Sequence, residues 1–273
     1  MLGAIIGDVV GSRFEFNNHR SKDFDLFVGQ CEATDDSIMT IAIGKALIET
    51  SKKFKVIDED YLELLKKNSV KYMQEIGRRY PHCGFGGRFY DWIFSEEFPK
   101  PYNSFGNGSA MRVSPVVYFA NSIEEVKKLS QAVTEVSHNH PEGIKGAEAT
   151  SVAIYMAKTG RSIDEIRKEI ETNYYDLDFT IDEIRETYRF NETCQDTVPQ
   201  AIEAFLESKS FEDAIRIAIS VGGDSDTLAA ITGSIAGEYY EIPKEIEEGA
   251  ISYLDDYLLS FYNEFNEYIK DKK

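Results

Sequence analysis

Cysteines, basic residues and long apolar runs are all scarce in this chain of 273 residues. The three cysteines, Cys31, Cys83 and Cys194, are odd in number and widely spaced, and they form no Cys-x-x-Cys pair. This pattern fits neither a disulfide framework nor a zinc site, so we expect free thiols in a reducing compartment. No apolar run approaches the roughly 18 residues that a membrane helix needs, so we expect no membrane span.

Basic residues are also outnumbered, with 30 Lys and Arg against 48 Asp and Glu and a formal net charge of −18. A protein that binds nucleic acid or an anionic membrane needs a basic face, so we expect neither as a general partner. The N-terminal run 1–11 is apolar, but no Lys or Arg precedes Asp8 as a signal peptide would require. We therefore expect a cytoplasmic protein.

The remaining composition, 42% hydrophobic and 12% aromatic, is sufficient for a large globular core. Apolar spacing predicts helices near 36–50, 59–78, 142–158, 195–208, 211–220, 226–240 and 245–269. Signatures of the form Ser/Thr-x-x-Asp/Glu predict helix starts at Ser122, Ser162, Thr180 and Ser210. We find no alternating strand pattern, no linker composition and no repeat. The sequence therefore predicts an all-α fold in one domain, 1–273.

One segment, 81–115, departs from the helical pattern. It holds four of the seven prolines and five glycines, and its charges cancel. The sequence predicts a long irregular segment here, which is either a functional loop or a plain connector.

Two acidic motifs each precede an apolar helical pattern. The first is Thr34-Asp35-Asp36, and the second lies within 222–227, Gly-Gly-Asp-Ser-Asp-Thr. One interpretation is that both are helix N-caps. The other is that their carboxylates and threonine hydroxyls are oxygen ligands for Mg²⁺, Mn²⁺ or Ca²⁺. Four carboxylates brought together would repel one another, and two divalent ions in a binuclear site would remove that cost.

Two glycine-rich segments also allow both a structural and a functional interpretation. Glycines 3, 7 and 11 recur every four residues and could line one face of a closely packed helix; Glu15, just beyond them, is a candidate catalytic acid. The segment 103–112 could direct backbone N–H groups at an anion or could form an ordinary turn. It is not a Walker loop, because no Gly-Lys-Ser/Thr follows.

A His-x-His pair, His138 and His140, lies at a predicted helix start. These side chains could bind zinc, contact a substrate or be ordinary loop histidines. Because no cysteine or third histidine is near in sequence, zinc is the least favoured of the three.

Taken in order, these segments resemble the ADP-ribosylglycohydrolase family, which includes dinitrogenase-reductase-activating glycohydrolases and ADP-ribosylarginine and ADP-ribosylserine hydrolases. The motifs that carry the resemblance are GDVVGSRFE, TDDS, GNGSAMR, SHNHP and GGDSDT, spread between Gly3 and about Pro243. The stretch Tyr80–Trp92 is similar to the glycine-rich substrate loop of bacterial members.

The resemblance implies a compact, orthogonal helical bundle with a central metal cleft that holds two Mg²⁺, with Mn²⁺ as an alternative. The implied metal ligands are Thr34, Asp35, Asp36, Asp224, Asp226 and Thr227. The implied catalytic carboxylates are Glu15, on a mobile loop, and the metal-bound Asp35 and Asp226. The implied substrate contacts are Ser104 and the amides of Asn107, Gly108 and Ser109 for diphosphate, Phe105 for adenine, Phe85 and His138 for ribose, with Gly86 and Gly106 beside them.

The implied activity is Mg²⁺-dependent hydrolysis of the N- or O-glycosidic bond between ADP-ribose and a modified protein side chain or small conjugate. Two alternatives are a metal-dependent phosphohydrolase that cleaves the diphosphate, and a non-catalytic family member that binds nucleotide or is structural. The net charge of −18 does not exclude an anionic ligand, because two divalent ions would bring the total to −14 and would nearly neutralise the acidic site. The sequence does not indicate the oligomeric state.

Overall fold

The structure is a computed structural model that describes residues 1–272. Every regular element in this range is a helix, and the single β-bridge among these residues pairs Gly106 with Thr193. The all-α prediction is therefore confirmed. The α-helices are α1 Leu2–Gly11, α2 Asp35–Lys53, α3 Glu59–Gly77, α4 Gly87–Phe94, α5 Ile123–Thr134, α6 Pro141–Lys158, α7 Ile163–Asn173, α8 Ile181–Ile184, α9 Val198–Leu206, α10 Phe211–Val221, α11 Ser225–Tyr239, α12 Lys244–Ile251 and α13 Asp256–Lys272.

The central helix of the fold is α11, which is buried from Ser225 to Ala236 and packs against α1, α6, α9 and α10. Helix α1 is similarly buried from Gly3 to Gly11. Apolar side chains on all sides of a helix are typical of an element that the rest of the fold surrounds. The two acidic motifs begin α2 and α11, so packing at the core determines where their carboxylates lie.

Helices α1 and α11 approach so closely that their backbones are in contact. A Cβ added to Gly7 would overlap the carbonyl oxygen of Ala229, and one added to Gly3 would overlap that of Gly233. At Gly11 the added atom would lie 2.5 Å from the Cα of Asp226. The prediction that these glycines line a close-packed helix face is confirmed, and the contact places the end of α1 beside the second acidic motif.

We expect Gly7→Ala to lower the free energy of unfolding by about 3 kcal/mol, the upper part of the usual range for overpacking, because a carbonyl oxygen cannot rotate away as a side chain can. The melting temperature should fall by about 6–12 °C in a chain of this size. The matched control is Gly29→Ala, since nothing lies within 4 Å of a Cβ at that exposed glycine. Equal melting temperatures for the two variants would contradict the close contact.

The four predicted helix starts are confirmed by their hydrogen bonds. Ser162 and Thr180 form complete capping boxes with the glutamates three residues later. Ser122 and Ser210 accept a hydrogen bond from the third backbone N–H of α5 and α10. These caps were predictable because all their atoms lie within one helical turn.

The prediction of one helix over 245–269 was wrong, because the structure has α12 and α13 there, separated by a turn at 252–255. The Oδ1 atom of Asp255 accepts the backbone N–H of Leu258 at 2.8 Å and so caps the start of α13. Leu254 is buried within the turn, which explains why the apolar spacing continues through it.

The prediction of a long irregular segment over 81–115 was wrong for part of this range, because α4 lies within it. Phe89, Trp92 and Ile93 are buried on one face of this helix, at the three- and four-residue spacing that a helix requires. The prolines and glycines on both sides of α4 concealed this short apolar pattern.

The three cysteines are free thiols, as expected. Across residues 1–272, no helix combines the length and the apolar character required to span a membrane.

Candidate functional site

A cavity of about 330 Å³ brings together segments that are far apart in the sequence. Its wall includes most of the residues singled out from the sequence, namely Glu15, Asp35, Asp36, Gly86, Ser104, Phe105, Gly106, Asn107, Gly108, His138, Asp224, Asp226 and Thr227. The wall also contains side chains that were not predicted, among them Arg88, Phe89, Tyr102 and Glu192. One cavity therefore joins the acidic motifs to the glycine-rich segment.

The carboxylates form two overlapping groups. Oxygen atoms of Asp8, Asp36 and Asp226 lie within 4.8 Å of one another, and so do those of Glu15, Asp224 and Asp226. Asp226 belongs to both groups, so its carboxylate connects them. The Oδ1 atom of Asp36 is buried and has no hydrogen-bond partner. Buried oxygen ligands with an unsatisfied lone pair are the donor set that a hard divalent cation prefers.

Burial and mutual repulsion raise the pKa of these carboxyl groups. Burial raises the pKa of Asp226 well above its usual range, and the charges of Asp224, Asp36 and Glu15 raise it further. The pKa of Asp35 is raised in the same way, by burial first and then by Asp8. Because a raised folded-state pKa means that ionisation destabilises the fold near neutral pH, a bound cation would offset this cost.

Helix capping does not account for the two acidic motifs. Thr34 and Asp224 occupy the N-cap positions of α2 and α11, yet neither side chain makes a capping hydrogen bond. The Thr34 hydroxyl instead donates to Asp8, and the Thr227 hydroxyl donates to Oδ2 of Asp36 at 3.3 Å. The interpretation of these side chains as N-caps is therefore wrong.

Asp8 is a residue of the site that the sequence reasoning missed. It is fully buried on α1, and its Oδ2 accepts the backbone N–H groups of Thr34 at 2.9 Å and Ser37 at 3.0 Å. Burial raises its pKa to about 6, although these hydrogen bonds act in the opposite direction. Asp8 thus fixes the first turn of α2 against α1. The available signal was a lone acid inside an otherwise apolar helical run.

Glu15 lies just beyond α1, half-buried at the cavity wall. Burial, and after it the negative charge of Asp224, raises its pKa to about 7. Asn18 ties this segment to the start of α11, since its Nδ2 donates to the carbonyls of Glu15 and Gly223 and its Oδ1 accepts the N–H of Gly223. A carboxyl group with a pKa near neutrality suits proton transfer to and from a substrate.

The glycine-rich segment is joined directly to the acidic groups. Nδ2 of Asn107 donates to Oδ2 of Asp224 at 2.7 Å. The backbone N–H of Asn107 donates to the carbonyl of Glu192, and that of Ser109 donates to Gly106. The structure thus differs from the expectation that these two amides are free for an anion, because the 3₁₀ turn at 107–109 and the neighbouring chain already use them.

Three of the expected site residues, Thr34, Phe85 and Ser109, lie outside the cavity wall. Thr34 is buried behind it against Asp8, and the buried hydroxyl of Ser109 donates to the carbonyl of Gly143 at 2.9 Å. Phe85 packs edge-on against Phe89, with ring centroids 5.5 Å apart. These positions support the wall of the cavity without forming its surface.

The aromatic and histidine side chains at the cavity differ in exposure. Phe105 is 42% exposed and has its ring edge-on to His140. His138 is buried, and burial followed by the charges of Arg112 and Arg88 lowers its pKa well below the usual value. Phe105 is therefore accessible for stacking, whereas His138 is a neutral, buried group.

The comparisons with known proteins agree on a family. A family model described as ADP-ribosylglycohydrolase matches residues 1–270. The chain is 22% identical to ADP-ribosylhydrolase ARH3 of Homo sapiens, over 95% of this chain and 90% of that protein. It is 24% identical to the ADP-ribosyl-[dinitrogen reductase] glycohydrolase of Rhodospirillum rubrum, over 93% and 88% respectively.

A solved structure shows the same fold. The chain resembles an ADP-ribosylglycohydrolase-related protein complex with a TM-score of 0.66 and 19% identity, over 98% of this chain and 97% of that one. At this identity the likeness shows the fold alone. The family model spans nearly the whole chain, and the chain therefore belongs to the ADP-ribosylglycohydrolase family, as a glycosidic-bond hydrolase.

Proposed function

We propose that this protein hydrolyses the N- or O-glycosidic bond between ADP-ribose and a modified protein side chain or small conjugate, and releases ADP-ribose. The observation that carries the proposal is the cavity in which an acidic cluster and a glycine-rich segment meet, joined by the hydrogen bond from Asn107 to Asp224. The names of the human and Rhodospirillum relatives support this substrate class.

The residues present fit two divalent cations, and we assign Mg²⁺, with Mn²⁺ as the alternative. The residues that would hold them are Asp35, Asp36, Asp224, Asp226 and Thr227 at the cavity wall, with Thr34 buried behind the wall against Asp8. The fit rests on a set of oxygen ligands that is buried and mutually repelling, with one Asp36 oxygen unpartnered. When bound, such ions would supply Lewis-acid stabilisation to oxygen atoms of the ribose or of a water molecule.

The carboxylates would transfer the protons of the reaction. Breaking the bond at the ribose anomeric carbon builds oxocarbenium character, so the leaving group gains a proton and water loses one. We assign this transfer to the Glu15 carboxylate, whose pKa is raised to about 7. Asp35 and Asp226 are the alternative proton carriers within the same cavity wall.

The glycine-rich part of the cavity wall would bind the adenine, the diphosphate and the ribose of the ligand. The exposed ring of Phe105 offers a stacking surface for adenine. The Ser104 hydroxyl and the backbone around Gly106 and Gly108 would contact the diphosphate, and His138 the ribose side of the ligand. Gly86 opens the wall beside α4, since a Cβ there would meet nothing within 4 Å.

The test is to identify the product. Conjugates of ADP-ribose with arginine, serine, an acetyl ester and DNA are incubated with the protein and Mg²⁺, and the products are separated by chromatography. We expect intact ADP-ribose from at least one conjugate. AMP with ribose phosphate would instead indicate a phosphohydrolase, and tight binding of ADP-ribose with no turnover of any conjugate would indicate a non-catalytic member.

A further inference from the structure

Arg112 is a buried cation with almost no partners. Its side chain is fully buried, and its Nε and Nη1 atoms have no hydrogen-bond partner. The guanidinium lies 5.3 Å from the ring centroid of Phe89. Burial lowers its pKa, but only to about 10, so it stays charged at neutral pH. An unpaired buried charge is costly to a fold, so its presence beside the cavity calls for a role.

The hydrogen bond that Arg112 does make leads to the cavity. Its Nη2 donates to the Ser137 hydroxyl at 2.7 Å, and that hydroxyl lies 2.8 Å from Nδ1 of His138. A guanidinium has only donors, so the Ser137 oxygen must accept from it, and the serine proton is free to point at Nδ1. In a neutral imidazole this places the ring proton on Nε2.

The Nε2 atom of His138 faces the glycine-rich segment. A Cβ added to Gly106 or to Gly108 would lie 3.5 Å from it, so the absence of side chains at both positions keeps this nitrogen accessible. The rings of Phe89 and Tyr102 lie against the imidazole, with centroids 5.9 Å and 5.7 Å away. The ring is therefore held on its sides by packing and at Nδ1 by Ser137.

We propose that Arg112 and Ser137 are positioning residues that hold His138 with its proton on Nε2, so that this N–H donates to an oxygen of ADP-ribose at the glycine-rich wall. The identity of the ligand in this inference rests on the proposed function. The Arg112 charge has a second effect, because it favours an anionic diphosphate in a cavity otherwise rich in carboxylates. A neutral histidine is required, since an imidazolium beside an unpaired arginine would add a second buried cation.

The test compares three variants of this chain with the wild type. Ser137→Ala removes the hydroxyl that donates to Nδ1, and Arg112→Met removes the donor to that hydroxyl. Replacing an unpaired buried charge with an apolar side chain is expected to leave the fold intact. The matched control is Ser114→Ala, because Ser114, two residues from Arg112 in the sequence, is also buried but its hydroxyl has no partner.

Two measurements are made on each protein, with Mg²⁺ present. Long-range ¹H–¹⁵N NMR correlations report which nitrogen of His138 carries the proton, and the chain has only four histidines to assign. Calorimetry gives the dissociation constant for ADP-ribose. We expect the Nε2–H form in the wild type and in Ser114→Ala, a mixture of both forms in Ser137→Ala and Arg112→Met, and a dissociation constant about tenfold higher in these two variants.

The inference is overturned if the wild type has its proton on Nδ1, or if both variants keep the Nε2–H form. A changed tautomer with an unchanged dissociation constant overturns the role in binding. If the wild type does not bind ADP-ribose, the proposed function fails, whereas the NMR measurement still decides whether Arg112 and Ser137 set the tautomer.

Discussion

Replacing Asp226 with alanine is expected to slow the release of ADP-ribose by about 10³-fold or more. Asp226 is the carboxylate shared by the two acidic groups, so its removal leaves neither group with three oxygen ligands. Metal ions supply several kcal/mol of transition-state stabilisation, and each 1.36 kcal/mol is a factor of ten in rate. The measurement is kcat under saturating conjugate and Mg²⁺, and excess EDTA should reduce the wild type by a similar factor.

The Asp226→Ala variant should also differ from the wild type in how its melting temperature responds to Mg²⁺. Because burial and repulsion raise the folded-state pKa of Asp226, its ionised form destabilises the protein at neutral pH, so alanine should not lower the melting temperature without metal. Added Mg²⁺ should raise the melting temperature of the wild type but not that of the variant. Asp164→Ala, at an exposed position in the first turn of α7, is the control. Full activity in excess EDTA would contradict the metal assignment.

Glu15→Gln is expected to lower kcat by about 10²- to 10⁴-fold, the usual contribution of a general acid or base. The amide keeps the shape of the side chain but cannot carry the proton, so we expect the loss in kcat and a much smaller change in KM. Glu192→Gln is the matched control, because Glu192 also lines the cavity but lies outside the two acidic groups. We expect less than a tenfold effect there.

An unchanged kcat in Glu15→Gln would remove Glu15 from the reaction. Equal losses in the Glu15 and Glu192 variants would instead show that the cavity needs only its overall negative charge. The two variants therefore separate a proton-transfer role from an electrostatic one.

The sequence predicted local features better than contacts between distant segments. The capping residues Ser162 and Thr180 were predictable because partner and cap are three residues apart. The break between α12 and α13 was not, because the buried Leu254 continues the apolar pattern across the turn. The apolar spacing of α4 was also missed, because the helix is short and prolines and glycines lie on both sides of it.

The candidate site shows the same difference between local features and contacts of distant segments. The Thr34-Asp35-Asp36 motif was visible as a cluster of oxygen ligands, but no spacing rule indicates that it meets a motif almost two hundred residues later. That meeting depends on the glycine contact between α1 and α11 and on Asp8, whose function appears only through its hydrogen bonds to Thr34 and Ser37. A single acid in an apolar run gives no indication of such partners.

The glycine contact between α1 and α11 also has a consequence for biosynthesis. Helix α1 leaves the ribosome long before its partner α11, which begins at Ser225. At typical rates of translation the bare glycine face of α1 waits roughly ten to forty seconds for α11. Asp226 arrives with that helix, so the carboxylate cluster assembles only after most of the polypeptide has been made. A truncated chain that ends before α11 therefore lacks Asp226, the carboxylate that both acidic groups share.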